Sequence, residues 1–301
     1  MSRDPSSIMR EGIQNTLRAF AAEFDGRLDA LLACGGPRPA DLAEAVRYSV
    51  LASGKRVRPY LLVRCCELVG GTRERAWPAA AAIECVHAFS LVHDDLPAMD
   101  DDDLRRGRAT THKKFGEALA ILAGDALLTL SFELIARMAD ARVVQALVSE
   151  LAGATGWSGM IGGQAQDLAG ENQPPSLERT RAIHRLKTGR LFAAACRMGA
   201  ICGGGTVDQL EGFLRFGGRL GEAFQIADDL LDLTAGAERL GKTAGKDAAA
   251  RKQTYPACVG AAASRAAADA AVTSAVAELA PFGPAADDLR ELAAYVVVRD
   301  Y

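Results

Sequence analysis

The sequence predicts an all-α protein, a single domain over residues 1–301 built from roughly ten helices. Three observations carry that expectation. Aromatic residues make up only 6% of the chain while Ala and Leu dominate, which favours helix over sheet. Apolar residues recur at helical spacing in several segments. No run of alternating β-branched residues is long enough for a strand, Val296-Val297-Val298 being short and isolated.

Taken in chain order, residues 1–7 carry no apolar stripe and are expected to fray. Leu17, Phe20, Phe24, Leu28 and Leu31 then follow at steps of 3, 4, 4 and 3, one face of an amphipathic helix. Residues 79–95 and 117–139 are apolar nearly all round, so these helices are expected to be central and buried. Leu210, Phe213, Leu214, Leu220, Phe224 and Leu231 keep the helical period later in the chain. Breaks fall at Gly35-Gly36-Pro37-Arg38-Pro39, at Gly70-Gly71, at 100–107, at 170–175, at Gly203-Gly204-Gly205 and at 236–251. None has the composition of an interdomain linker, and no repeat is visible.

Composition excludes several functions. With 35 basic and 38 acidic side chains the net charge is −3, not the basic balance of a general nucleic-acid binder. At 49% hydrophobic the chain is too apolar for low-complexity disorder. The start shows no basic segment followed by an apolar core, so no secretory leader is expected. Glu84, His87 and Asp125 interrupt the apolar stretches before ~18 residues, so no membrane span is expected. Seven Cys without a C-x-x-C pair read as reduced thiols, which points to the cytoplasm.

Two acidic clusters dominate the pattern. His93-Asp94-Asp95-Leu96-Pro97-Ala98-Met99-Asp100 runs on through Asp101, Asp102 and Asp103 directly after an apolar helix. Pro97 disfavours α geometry at Leu96, so the helix is expected to end there. Carboxylates then crowd a helix C-terminus, unfavourable by ~0.3–1 kcal/mol each, and something cationic must offset this. The second cluster, Asp228-Asp229-Leu230-Leu231-Asp232, lies inside a helix. There Asp228 and Asp232 sit about 40° apart and repel one another unless bridged. Oxygen ligands of this kind suit Mg²⁺ or Mn²⁺. The alternative is a pair of solvated acidic patches, which two clusters set in apolar helices disfavour. Basic residues are grouped to match: Lys55, Arg56 and Arg58; then Arg105, Arg106 and Arg108; then Lys187, Lys242 and Lys252. Together with two carboxylate clusters they suit two polyphosphate groups.

These residues closely resemble the trans-isoprenyl diphosphate synthases, in particular the bacterial farnesyl diphosphate synthases, over about 40–300. The likeness is carried by Asp94-Asp95 through Asp100, by Asp228-Asp229 through Asp232, by Gly54–Pro59 and by Arg105-Arg106. Gly163-Gln164-x-x-Asp167, Lys187-Thr188 and Phe224-Gln225 complete it in the same order. The resemblance implies a helical bundle with a central cavity, and three Mg²⁺ ions, replaceable by Mn²⁺, held by Asp94, Asp95 and Asp100 facing Asp228 and Asp232. It implies that Arg105, Lys187, Thr188, Gln225, Lys242 and Lys252 surround an allylic diphosphate. It assigns Lys55, Arg58, His87 and Arg106 to isopentenyl diphosphate. Catalysis would fall to Asp94, Asp95, Asp100, Arg105, Lys187 and Asp228, through ionisation of the allylic C–O bond and attack on the cation. A homodimer is a further family expectation.

Helical phase alone favours Asp101 over Asp100 as the partner of Asp94; the motif and Pro97 favour Asp100. His93 is expected beside the metal cluster and not within it, since Mg²⁺ prefers oxygen. Asp125 is expected to be a paired or capping carboxylate. Gln164 and Asp167 are expected to brace the site. By the resemblance, Phe89 and Ser90 form the pocket floor, and the bulk of Phe89 favours a fifteen-carbon product over longer ones; geranylgeranyl or geranyl diphosphate is the alternative product. A terpene cyclase usually has Asn, Ser or Thr and Glu at its second metal site. A His-Asp phosphohydrolase is suggested by His93-Asp94, but with four His in all its ligand set is hard to complete; a non-catalytic partner subunit tends to lose aspartates, and both motifs are intact here.

Overall fold

The computed structural model describes residues 5–33, 38–234 and 252–298. Its α-helices are α1 (Pro5–Ala33), α2 (Ala40–Val50), α3 (Val57–Leu68), α4 (Arg73–Asp94), α5 (Thr111–Phe115), α6 (Glu117–Ala136) and α7 (Ala141–Thr155). They continue with α8 (Met160–Gly170), α9 (Leu177–Ile183), α10 (Arg190–Gly203), α11 (Val207–Thr234), α12 (Tyr255–Val259), α13 (Ala261–Glu278) and α14 (Asp287–Val298). A π-helical segment, His184–Gly189, joins α9 to α10 without a break, and a 3₁₀ turn, Ala280–Ala286, precedes α14. The fold is all-α, as the composition predicts.

Local chemistry sets several boundaries. Asp140 caps α7 by accepting from the amides of Arg142 and Val143, and Ser176 and Thr254 cap α9 and α12. Gly204, at φ 78°, closes α10 in the left-handed conformation that glycine adopts freely. Helix α4 stops at Asp94, three residues before Pro97, as the proline requires. Helix α1 begins at Pro5, within the segment expected to fray.

Packing centres on α4, which lies against α2, α3, α6 and α10 and is buried around most of its circumference. Helix α1 presents Ile13, Leu17, Phe20, Phe24, Leu28 and Leu32 to the core, with Leu32 taking the place expected for Leu31, which is only partly buried. Phe20 meets Tyr60 and Trp77 at ring-centroid distances of 5.3 and 5.7 Å, fastening α1 to α3 and α4. Helices α3 and α10 touch backbone to backbone. A Cβ on Gly199 would fall 2.1 Å from the Leu62 carbonyl oxygen.

Three expectations need correction. Helix α6 is not buried all round: Ile121 and Leu122 are exposed on its outer face, although it is long and apolar enough to cross a membrane by length and composition. It packs instead along α4 as a bundle helix. Asp125 lies exposed on that outer face and needs no buried partner. Finally, Leu104–Arg105 and Arg108–Ala109 pair as a two-stranded antiparallel ribbon. Its turn places Arg106 and Gly107 at φ 54° and 74°, the two positive angles a tight hairpin demands. The signal was a basic residue followed by glycine, masked by flanking residues with no strand pattern.

Candidate active site

The bundle encloses a cavity of about 840 Å³. Asp94 enters it from the end of α4, Gln225 and Asp228 from α11, Lys187 and Thr188 from the π-helical segment, and Gln164 from α8. Residues 53–58 and Arg105 and Arg106 of the ribbon form a basic flank, while Phe89, Leu91, Met160, Ile161, Leu168, Phe224 and Leu231 supply apolar wall.

The first acidic cluster is a turn folded back on the helix end. The Asp100 amide donates to the Asp94 carbonyl at 2.8 Å and the Asp102 amide to the Asp95 carbonyl at 3.2 Å, with Asp101 at φ 49°. The spacing through Pro97 and Ala98 is absorbed in this turn, so Asp100 is brought to Asp94 by a non-helical route. Arg105 Nε donates to both Asp95 oxygens at 2.7 and 2.9 Å, and Lys252 Nζ lies 2.8 Å from Asp100. These cations supply the offset that carboxylates at a helix C-terminus require. Burial disfavours the Arg105 charge, but its hydrogen bonds and attraction to Asp95 outweigh this and hold the guanidinium pKa above its usual value. Neither Asp95 nor Asp100 is a lining residue of the cavity; Asp94 is. Burial pushes the Asp94 carboxyl above the usual range, against the attraction of Lys187.

Lys187 is held by Asp167 at 2.7 Å. Burial disfavours its charge, yet Asp167, Asp94 and Asp100 together raise its pKa, so it stays protonated. That pair depends on a close contact of α8 with the π-helical segment: a Cβ on Gly163 would lie 2.3 Å from the Lys187 amide nitrogen. The wide π turn carries Lys187 and Thr188 into the cavity, a distortion often found at functional positions. The Thr188 hydroxyl donates to Gln225 Oε1 at 2.6 Å. Among the described residues neither the nitrogen nor the oxygen of the Gln164 amide has a hydrogen-bond partner, so this cavity wall presents an unused donor and acceptor.

The second cluster divides. Asp228 lines the cavity, whereas Asp229 is buried behind it, accepting from the Tyr255 amide at 2.8 Å and the Gln225 side chain at 3.2 Å, with His184 Nε2 also at 3.2 Å. Asp229 is thus part of the scaffold. Asp232, expected as a ligand, is half-buried on the same helix and is not a lining residue. Lys242 lies outside the described residues. His93 Nε2 lies 3.1 Å from the Ile121 carbonyl, which fastens α4 to α6 and leaves it out of the carboxylate cluster. Asp101, Asp103 and His112 bring donor atoms within 4.8 Å of one another on the outer side of the turn, where Lys113 Nζ already lies 2.8 Å from Asp103.

On the basic flank His87 lines the cavity among arginines. Burial, and then Arg58, Arg106, Arg105 and Arg56, push its pKa well below the ordinary imidazole value, so it is neutral near pH 7. Phe89 is 6% exposed, faces the cavity, and meets His93 edge-on at 5.5 Å; the Ser90 hydroxyl donates to the His87 carbonyl. The donor set of Asp94, Asp95, Asp100 and Asp228 is all carboxylate oxygen, the chemistry that suits Mg²⁺.

Residues 39–280 match the polyprenyl synthetase family. Geranylgeranyl pyrophosphate synthase 12, chloroplastic, of Arabidopsis thaliana is 50% identical over 230 residues, covering 74% of this chain and 64% of that protein. The chain therefore spans just under two thirds of that relative. The apo structure of an FPP/GFPP synthase from Zymomonas mobilis superposes with a TM-score of 0.82 at 38% identity, covering 94% of this chain and 99% of that one. A geranyltransferase from Helicobacter pylori, complexed with magnesium and isoprenyl diphosphate, superposes with a TM-score of 0.80 at 32% identity, covering 93% and 96%.

Two outcomes follow from this geometry. Asp229→Ala strips a buried network of its carboxylate and lowers stability by about 3 kcal/mol or more, while Asp228→Ala costs about 1 kcal/mol or less. Urea titrations of both variants check this. Because His87 has a lower pKa folded than unfolded, the unfolded chain binds the extra proton first as pH falls. Stability therefore drops below about pH 6.5 and continues to drop toward the lower folded-state pKa, and His87→Gln flattens that slope in urea midpoints measured from pH 7.5 to 5.5.

Proposed function

The chain belongs to the polyprenyl synthetase family, and from that premise we propose that it condenses isopentenyl diphosphate head-to-tail with dimethylallyl and geranyl diphosphates, stopping at farnesyl diphosphate. The observation that carries this reading is one cavity with carboxylates from two different helices, Asp94 on α4 and Asp228 on α11, beside a basic flank and an apolar wall. A polyphosphate with a hydrocarbon tail matches that division.

Asp94, Asp95 and Asp100, facing Asp228 and Asp232, would hold Mg²⁺, three ions by family expectation. Bound Mg²⁺ supplies positive charge to a departing diphosphate and so favours ionisation of the allylic bond. The protein's own part is electrostatic and positional. Lys187, fixed by Asp167, keeps a permanent charge for the leaving group, and Lys252 and Arg105 are already poised beside the aspartates. The Thr188 proton is committed to Gln225, which leaves the hydroxyl lone pairs to a developing cation. Lys55, Arg58 and Arg106 take the diphosphate of isopentenyl diphosphate, and neutral His87 adds a hydrogen-bonding group without further charge. Apolar walls exclude water from the cation. The released diphosphate accepts the final proton, so no side-chain base is needed.

Phe89 supports the fifteen-carbon end point, because its ring occupies cavity wall five residues before Asp94. The twenty-carbon reading is favoured by the geranylgeranyl synthase named among the relatives. Mass spectrometry of products formed from isopentenyl and dimethylallyl diphosphates with Mg²⁺ separates the two. A predominantly C15 product is expected, and Phe89→Ala shifts it to C20 or longer; an unchanged distribution removes Phe89 from chain-length control.

The exposed apolar face of α6, with Ile121 at 44% and Leu122 at 53% exposure, supports pairing with a second copy of the chain. Sedimentation is expected to show a dimer, and Ile121→Glu with Leu122→Lys a monomer that retains wild-type helical content.

A further inference from the structure

Of the three cations at 55–58, Arg56 points inward. It is 4% exposed, whereas Lys55 is exposed and Arg58 half-buried. Arg56 is the N-cap of α3 and sits at φ 47°, ψ 40°, a left-handed conformation that residues with a Cβ adopt reluctantly. Its guanidinium fixes that conformation from three directions. Nε donates to Asp25 Oδ1 at 2.8 Å, Nη1 to Glu84 Oε1 at 2.6 Å and Nη2 to the Ala52 carbonyl at 2.8 Å. A disfavoured backbone persists when its surroundings over-determine it, and here they do.

The turn so fixed carries the basic flank. Lys55 lies with its ammonium 5.5 Å above the Tyr295 ring, and Arg58 with its guanidinium 4.6 Å above the Phe192 ring. Arg106 Nη1 donates to the carbonyl of Ser53 in the same loop. All three side chains line the cavity. Asp25 stands apart from these elements: it lies on α1, before the segment matched by the family, and its side chain is 34% exposed. The aromatic contacts of Phe20 and Phe24 hold α1 in place without it.

We propose that Asp25 is a positioning residue for the isopentenyl diphosphate subsite, acting through Arg56 to hold the turn that aims Lys55, Arg58 and Arg106 into the cavity. This rests on the function proposed above. Among the described residues the Asp25 carboxylate has no hydrogen bond or ion pair to the aspartate side of the cavity, so its effect is confined to one substrate. Removing its charge leaves Arg56 with Glu84 and the Ala52 carbonyl, and loosens the hold on the left-handed turn.

The test compares steady-state kinetics for both substrates in Asp25→Asn, Asp25→Glu and Arg56→Lys. Asp25→Asn is expected to raise KM for isopentenyl diphosphate about tenfold, the scale of one charge-assisted hydrogen bond, with kcat and the allylic KM within about twofold of wild type. Asp25→Glu restores the lower KM, and Arg56→Lys, which keeps the charge without the three-pronged hold, shows the same selective rise. An unchanged KM for isopentenyl diphosphate in an active Asp25→Asn enzyme overturns the proposal. A parallel rise of both KM values, or a collapsed melting temperature in both variants, makes Asp25 merely structural and overturns it as well. A wild-type enzyme that forms no product from isopentenyl diphosphate overturns the functional reading itself, and the proposal with it.

Discussion

Carboxylates at the C-terminal end of a buried helix are held against the helix dipole and against one another, and much of this structure offsets that arrangement. Helix α4 is apolar around most of its surface and yet ends in Asp94 and Asp95. Arg105 reaches Asp95 from the ribbon, Lys252 reaches Asp100 from beyond α11, and Lys187 adds its charge to the field at Asp94 from the π-helical segment. Each comes from a different element. The cluster is thus a hub that ties the ribbon, the π-helical segment and the chain after α11 to the end of α4.

The same economy governs the cations. Lys187 is fixed by Asp167 and Arg56 by Asp25 and Glu84, so each group of like charges in the cavity wall has counter-ions behind it. Buried charges without such partners would shift pKa or leave the interior. His87 shows the other outcome: burial first, and then the neighbouring arginines, hold its pKa well below the ordinary imidazole value. Close backbone contacts make these pairings possible, since a side chain at Gly163 would push Asp167 away from Lys187.

Both clusters were legible in the sequence because aspartates in apolar helices are costly unless used. The helical class and the stop at Pro97 were legible for similarly local reasons. Less visible was the division of labour inside the second cluster. Asp228 and Asp229 are chemically identical neighbours, and only the rotation of α11 against α12 and the π-helical segment sends one into the cavity and the other to the Tyr255 amide. The ribbon at 104–109 was missed because its strands are two residues long and carry no alternation. The outer face of α6 was misjudged because an all-round apolar helix looks the same in sequence whether its last face meets the core or the surface.

By itself the sequence determined the helical class and the grouping of carboxylates and cations into clusters, because composition, period and charge spacing act along the chain. The tertiary structure decided which carboxylate meets which cation. It paired Asp95 with Arg105, Asp167 with Lys187 and Asp25 with Arg56 across 10, 20 and 31 residues. Such pairings depend on helix packing and backbone conformation, including a left-handed Arg56, and on where burial makes an unpartnered charge too unfavourable to leave.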